Sequence, residues 1–341
     1  MDRFDITIIG GGPTGLFAAF YAGLRGMSTK IIDALPQLGG QLTALYPEKY
    51  IYDVAGYPKV LAKELAQSLV EQALQYNPSV HLGSKITDMQ IGSDENSGSD
   101  KPSRYFVLDT DDGQSHESYS ILLTIGIGAF APRKLKLKDI ERFEGNGLDY
   151  FVQDKSKFKD KKLLIVGGGD SAVDWGIHLH GIAESITLIH RRDRFRAHEE
   201  SVKQLFDSPV TIKIPFEVKE IHGNSKVEKV TIFNNQTKDE EHLEVDHILL
   251  NLGFVADIGK IKEWGLNLIK GDIEVTSKME TSIPGIYAAG DVTTYPGKLK
   301  LIATGFGEAA TAVNNAKTYI DPSSKAFPGH SSDMEPPPGL K

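Results

Sequence analysis

GGGPTG, from Gly10 to Gly15, lies between an apolar, β-branched run, FDITIIG (Phe4 to Gly10), and a segment of helical spacing, Pro13 to Arg25. Leu16, Ala19, Phe20 and Gly23 fall on one side of that segment, as they would on a packed helix. TKIIDA (Thr29 to Ala34) reads as a second strand, completing a βαβ unit of about 30 residues. Strand, glycine turn, helix and strand form the context in which a G-x-G-x-x-G spacing carries meaning. Here it comprises Gly10, Gly12 and Gly15, with Thr14 inside it. The glycines permit a tight turn and close approach of a pyrophosphate, and the helix start offers unpaired N–H groups and partial positive charge.

The same order recurs downstream. KKLLIVG (Lys161 to Gly167) is a strand, GGGDSA (Gly167 to Ala172) a turn, Ser171 to His180 a helix, and SITLIHRR (Ser185 to Arg192) a strand. A shift of 157 residues places Gly10 on Gly167 and Gly12 on Gly169. The internal repeat is therefore one of fold units rather than of short solenoid modules. An α/β protein with two Rossmann-like dinucleotide-binding domains is expected. Gly167, Gly169, Asp170, Ser171 and Ala172 are the candidate contacts at the second turn.

The residues at the tip of the second strand separate the two ligands. In the first unit that strand ends in Asp33, 18 residues after Gly15. A carboxylate there accepts hydrogen bonds from ribose hydroxyls and repels a 2′-phosphate. The equivalent position in the second unit is His190, followed by Arg191 and Arg192, with Arg196 close by. Guanidinium groups match phosphate oxygens in geometry and charge. The first site thus reads as one for FAD and the second as one for NADP(H). TSIPGIYAAGDV (Thr281 to Val292) supports the FAD half, since a strand ending in Gly290 and Asp291 can present a carboxylate to a ribityl hydroxyl.

Composition bounds the alternatives. A chain of 341 residues suggests about two domains. A net charge of −8 argues against nonspecific binding to nucleic acid or an acidic membrane. No run of about 18 apolar residues occurs, and the N-terminus lacks a signal-peptide pattern, so a cytoplasmic protein is expected. There are no cysteines, which excludes thiolate metal sites, cysteine nucleophiles and CxxC redox chemistry. No HExxH or GxSxG pattern is present, and no metal site is expected. Further strands are expected at RYFVLDTDDG and SYSILLTIG, taken as the two sides of a hairpin pattern holding the polar turn Gly92 to Arg104. Others are expected at Val210–Ile214, Val227–Phe233 and Asp246–Gly253, with a helix from about Ile302 to Tyr319 and an unstructured Pro-rich tail, MEPPPGLK.

The order GGGPTG, GGQL, GGGDSA, HRRDRFRA, YAAGDV resembles the two-dinucleotide flavoproteins of the thioredoxin reductase type over nearly the whole chain. Those enzymes carry a CxxC just before the second glycine turn, where this chain reads NGLDYFVQDKSKF (Asn146 to Phe158). Dithiol reduction of thioredoxin is therefore impossible for this polypeptide. The segment LGGQLTALYPEKYIYDVAGYP (Leu38 to Pro58), with GAFAPRKL (Gly128 to Leu135), YPGKLK (Tyr295 to Lys300) and HSS (His330 to Ser332), is similar to thioredoxin-reductase-like ferredoxin–NADP⁺ reductases. That resemblance implies further FAD contacts: Gln41 and Tyr46 near the flavin, Ile86 at the adenine, Phe130 lining the cofactor, Asp291 on the ribityl chain and Ser332 at the ring. It implies that Tyr46 and His330 stack on opposite flavin faces. It also implies a homodimer in which the C-terminal extension serves the partner subunit's flavin.

The resemblance implies electron transfer between NADPH and ferredoxin or flavodoxin. The same scaffold could reduce a quinone, iron or free flavin, or act as an oxidase; a non-catalytic nucleotide sensor is disfavoured by the intact glycines, Asp33, Arg191, Arg192 and Asp291. A helix beginning near Ile302, aided by Lys298 and Lys300, is expected to stabilise charge on the reduced flavin. Basic stretches at Arg133–Lys138 and Lys155–Lys162 are candidate docking patches. The FAD domain is expected at 1–130 and 255–341 and an inserted NADP(H) domain at 131–254, joined through Gly126–Pro132 and Leu252–Asp257.

Overall fold

The structure, a computed structural model, describes residues 3–94, 101–128, 131–255 and 258–330. Two compact units divide the chain: Met1–Ala129 with Ala256–Lys341, and Phe130–Val255. Phe130, Ser332 and the Pro-rich tail lie outside the described residues.

The first unit is built on parallel strands in the order Ser79–Leu82, Thr29–Asp33, Phe4–Ile9, Ser115–Leu123, Ile286–Ala288. The long strand Ser115–Leu123 serves two pairings. Its first residues pair antiparallel with Phe106–Asp109, and its last, Ile121 to Leu123, lie between Thr7–Ile9 and Ile286–Ala288. Ile6, Ile8, Ile31, Ile32, Leu122 and Leu123 are buried, as in strands covered on both faces, which read as continuous apolar runs. The covering helices are Pro13–Leu24, Ala62–Leu74 and Ile302–Ile320. Ala62–Leu74 buries Ala62, Leu65, Ala66, Leu69 and Ala73, a one-sided stripe at helical spacing.

The second unit repeats the progression. Its parallel sheet runs Leu148–Asp149, His247–Leu250, Lys162–Val166, Ser185–Ile189, Thr211–Lys213. Alternating residues feed two different cores. Leu163, Ile165, Leu188 and Leu249 join Val173, Trp175, Leu179 and Leu205 of the helices Asp170–Leu179 and Glu199–Phe206. Leu164, Val166, Ile189, Ile248 and Leu250 join Val218, Ile221, Val230 and Ile232 of a three-stranded antiparallel sheet, Phe216–His222, Lys229–Asn234 and Glu240–Glu244. The unit is thus three layers, helices on one face and strands on the other.

Two expectations need correction. The polar stretch Gly92–Arg104 joins the strand Ile86–Ser93 to Arg104–Thr110, whereas RYFVLDTDDG and SYSILLTIG flank the tight turn at Asp111–Gln114. The strand Ile86–Ser93 has no fully buried residue, so it shows no apolar alternation in the sequence. In TSIPGIYAAGDV only Ile286–Ala288 forms a strand; the remainder is turn.

At the edge of the first sheet, buried His116 accepts a hydrogen bond at Nδ1 from Lys30 Nζ at 3.0 Å, and its ring meets that of His81 at 4.7 Å. Burial first, then the Lys30 charge, push its pKa from 6.5 down to about 4. The unfolded chain therefore binds the proton more readily, and stability drops as pH falls from 6.5 through 4. Urea unfolding of wild type and His116→Gln across that window should show the wild-type advantage shrinking with acidification. A pH-independent difference would contradict the assignment.

Candidate functional site

In both units the functional positions gather at the carboxyl ends of the parallel strands, where open α/β sheets bind ligands. In the first, Gly10 follows Phe4–Ile9 with φ +105°, and a Cβ there would lie 2.6 Å from the Thr124 carbonyl oxygen. A Cβ on Gly15 would collide with the Gly10 carbonyl oxygen. Only a residue without a side chain lets the helix Pro13–Leu24 start this close to the strand. Gly12 is its N-cap, with no side-chain cap, so no side chain competes for the first-turn N–H groups.

Other segments converge on this turn. Gly39 N–H donates to Gly11 O at 2.9 Å, and a Cβ on Gly40 would lie 2.7 Å from Gly12 Cα. The GGQL loop thereby packs on the turn and begins the short helix Gln41–Ala44. Thr14 touches both Gly290 and Gly305, which brings in the end of Ile286–Ala288 and the first turn of Ile302–Ile320. Asp33 is anchored: Gly11 N–H donates to its Oδ2 at 2.5 Å and Leu35 N–H to its Oδ1 at 2.8 Å. Ser84 N–H donates to Asp33 O at 3.2 Å, which carries the chain past Asp33 just before Ile86. The Tyr46 phenol is pushed up to about 12 by burial, and next by the charges of Asp291 and Asp53. Burial also raises Asp33 and Asp291, opposed at Asp33 by its two N–H donors and at Asp291 by Lys298 and Lys300. The Asp291 carboxylate makes no hydrogen bond or ion pair among the described residues.

Two lysines expected to act on the reduced flavin are engaged with carboxylates in the structure. Lys298 does not stand free beside a ligand; it is buried against Glu308, at 2.5 and 2.7 Å from the two carboxylate oxygens. Lys300 pairs with Asp272 at 2.8 Å. His330 is exposed, and its ring meets that of Phe327 at 5.5 Å. In the candidate docking patches, Lys134 is paired with Glu144 and Lys162 with Glu244.

The second site uses different means to the same shape. Gly169 caps Asp170–Leu179 without a side-chain hydrogen bond, and a Cβ on it would stand in open space. The Asp170 carboxylate accepts from His198 N–H at 2.9 Å, and Arg196 N–H donates to Gly168 O at 2.7 Å, folding the arginine loop back onto the turn. Ser171 is exposed and Ala172 buried. His190 lies against Gly168 as Asp33 lies against Gly11, and its ring stacks on Phe195 at 5.4 Å. Burial lowers its pKa, with a further push from Arg192, Arg196 and Arg191. Those three guanidinium groups are exposed and make no ion pair among the described residues.

Sequence reasoning missed three members of these sites. Asn251 ends the strand His247–Leu250, with its carbonyl oxygen over Gly167 and its Oδ1 buried without a partner among the described residues. Thr124 donates to Gly10 O at 2.7 Å. Glu308 is 5% exposed on the buried stripe of Ile302–Ile320; a carboxylate at a core position of that helix was the available signal.

The sequence pattern of the pyridine nucleotide-disulphide oxidoreductases matches residues 4–316. The chain belongs to this family. A protein named ferredoxin–NADP reductase 2 from Shouchella clausii is 53% identical over 334 residues, 98% of each chain. One of the same name from Bacillus cytotoxicus is 54% identical over 331 residues, 97% of this chain and 98% of the relative. Among solved structures, Lactococcus lactis thioredoxin reductase is similar, with TM-score 0.75 and 26% identity over 93% of this chain and 99% of that one. The resemblance to thioredoxin-reductase-like ferredoxin–NADP⁺ reductases and the expected α/β dinucleotide fold are borne out.

Because Gly169 faces open space, Gly169→Ala should change unfolding free energy by no more than about 1 kcal/mol. It should weaken NADPH binding by roughly ten- to a hundredfold, the cost of overpacking a methyl against a pyrophosphate. Titration calorimetry with thermal melting separates the two effects.

Proposed function

We propose that this chain is a flavoenzyme that transfers electrons between NADP(H) and ferredoxin, with FAD held by the first unit and NADP(H) by the second. The observation that carries the reading is the opposite polarity of two corresponding strand tips. Asp33 stands over Gly11 in one; His190, with three arginines unpaired among the described residues, stands over Gly168 in the other. The names of the relatives, which specify ferredoxin and NADP, support it. When bound, FAD would supply the redox chemistry, as an acceptor of hydride and a donor of single electrons.

The residues fit these groups. Gly12 and the uncapped start of Pro13–Leu24 hold the FAD pyrophosphate. Asp33, fixed by two N–H donors, accepts from the adenosine ribose, with Ile86 at the adenine. Asp291 accepts from the ribityl chain, while Gln41 and Tyr46 border the ring. Gly169 and the start of Asp170–Leu179 hold the NADP(H) pyrophosphate, and Arg191, Arg192 and Arg196 its 2′-phosphate. Neutral His190 adds no charge of its own.

The absence of cysteine removes an internal dithiol as the route for electrons; the relatives' names point to ferredoxin as the acceptor, with flavodoxin as an alternative. We place the reaction in the cytoplasm; among the described residues no helix is long and apolar enough to cross a membrane. A homodimer is part of the proposal: His330 and Phe327 form an exposed aromatic pair, available to a second copy's flavin.

The test is bleaching of the flavin by NADPH and by NADH, followed by ferredoxin-dependent reduction of cytochrome c. Arg191→Ala with Arg192→Ala should raise the KM for NADPH by about a hundredfold, from two lost charge-assisted contacts, and leave NADH within about threefold. Equal use of both nicotinamides by the wild type would end the assignment of the second site.

A further inference from the structure

The region around Asp291 contains more charge than a ribityl contact needs. Lys298 and Lys300 both act on its carboxyl, yet neither is bonded to it. Each is held by another carboxylate. Lys300 goes to Asp272 at the surface. Lys298 goes to Glu308 in the interior, where the two side chains are 5% and 4% exposed.

Glu308 is fully engaged. Its Oε2 accepts from Gly290 N–H at 2.7 Å and from Lys298 Nζ at 2.7 Å; its Oε1 accepts from Tyr295 O–H at 2.5 Å and from Lys298 Nζ at 2.5 Å. One carboxylate thereby ties the residue before Asp291 to both ends of the segment Tyr295–Lys298. A buried lysine without an anionic partner is costly, and Lys298 shares the Glu308 Oε2 with the N–H of Gly290, the residue before Asp291, so without Glu308 the Asp291 carboxylate is a partner for Lys298 to seek.

We infer that Glu308 is a positioning residue that sequesters Lys298 so that the Asp291 carboxylate stays available to a hydroxyl of the cofactor. The inference rests on the FAD reading above. It differs from a direct role of Lys298 at the flavin, because here the lysine is a competitor for Asp291 and its removal is harmless to binding. It also differs from a purely structural role of the ion pair, because the defect caused by losing Glu308 is repaired by losing Lys298.

Apoprotein of wild type, Glu308→Gln, Lys298→Met and the double variant would be titrated with FAD by fluorescence quenching, with thermal melting of each apoprotein alongside. Glu308→Gln should weaken FAD by about tenfold or more, the loss of a hydrogen bond to a charged group. Lys298→Met should bind within about threefold of wild type, and the double variant should recover most of the loss. Melting temperatures that fail to track FAD affinity across the set would support the competition. If Glu308→Gln does not fold, Lys298→Met and the double variant still decide: both must bind FAD nearly as wild type does. A Glu308→Gln that binds normally, a double variant as weak as Glu308→Gln, or a Lys298→Met that loses FAD would overturn the inference while the site reading stands. A wild type that binds no FAD would overturn both.

Discussion

The structure depends on how closely a strand, a turn and a helix can approach one another. At the first turn the Gly10 carbonyl occupies the space in which a Gly15 side chain would sit, and Thr124 O occupies the space beside Gly10. These contacts are backbone to backbone, so no rotamer change can relieve them. They hold the helix start over the sheet edge with its N–H groups uncapped. The second turn repeats the approach of Gly10 to Thr124 O at Gly167, against Asn251 O, and carries Ala172 where the first has Gly15. A site for a pyrophosphate is thus a by-product of packing a helix tightly on a parallel sheet.

Charge then distinguishes two sites that packing makes alike. The second-strand tip faces the turn in both units. Burial raises the Asp33 carboxyl there, and two N–H donors oppose that shift. His190 in the same place is kept neutral by burial and by the arginines around it. Around Asp291 the arrangement is a network rather than a single residue. Two lysines and three carboxylates are sorted into pairs that leave one carboxylate over, and the sorting decides what that carboxylate can bind.

Burial on both faces explains why most of the fold was legible. Strands such as Phe4–Ile9 and Lys162–Val166 are covered on each side and appear as unbroken apolar runs. In the second unit, adjacent residues of one run, Leu163 and Leu164, belong to different cores; the run records that both faces are covered but not by what. Ile86–Ser93 is half-exposed and left no such mark. Of the three-stranded sheet over the second core, only Lys229–Asn234 was legible, as Val227–Phe233; Phe216–His222 and Glu240–Glu244 were not.

The amino-acid sequence alone determined the two βαβ units, the 157-residue correspondence between them, the opposite polarity of Asp33 and His190–Arg192, and the absence of any dithiol. Each of these is a matter of near neighbours or of composition, which a linear reading preserves. Tertiary structure alone decided that the GGQL loop packs on the first turn, that Thr14 meets Gly290 and Gly305, that Asn251 stands over Gly167, and that Lys298 is bound to Glu308 instead of standing free. Those contacts join residues brought together by strand order and helix packing. The energy of an ion pair or an orphaned oxygen depends on what surrounds it after the chain has closed.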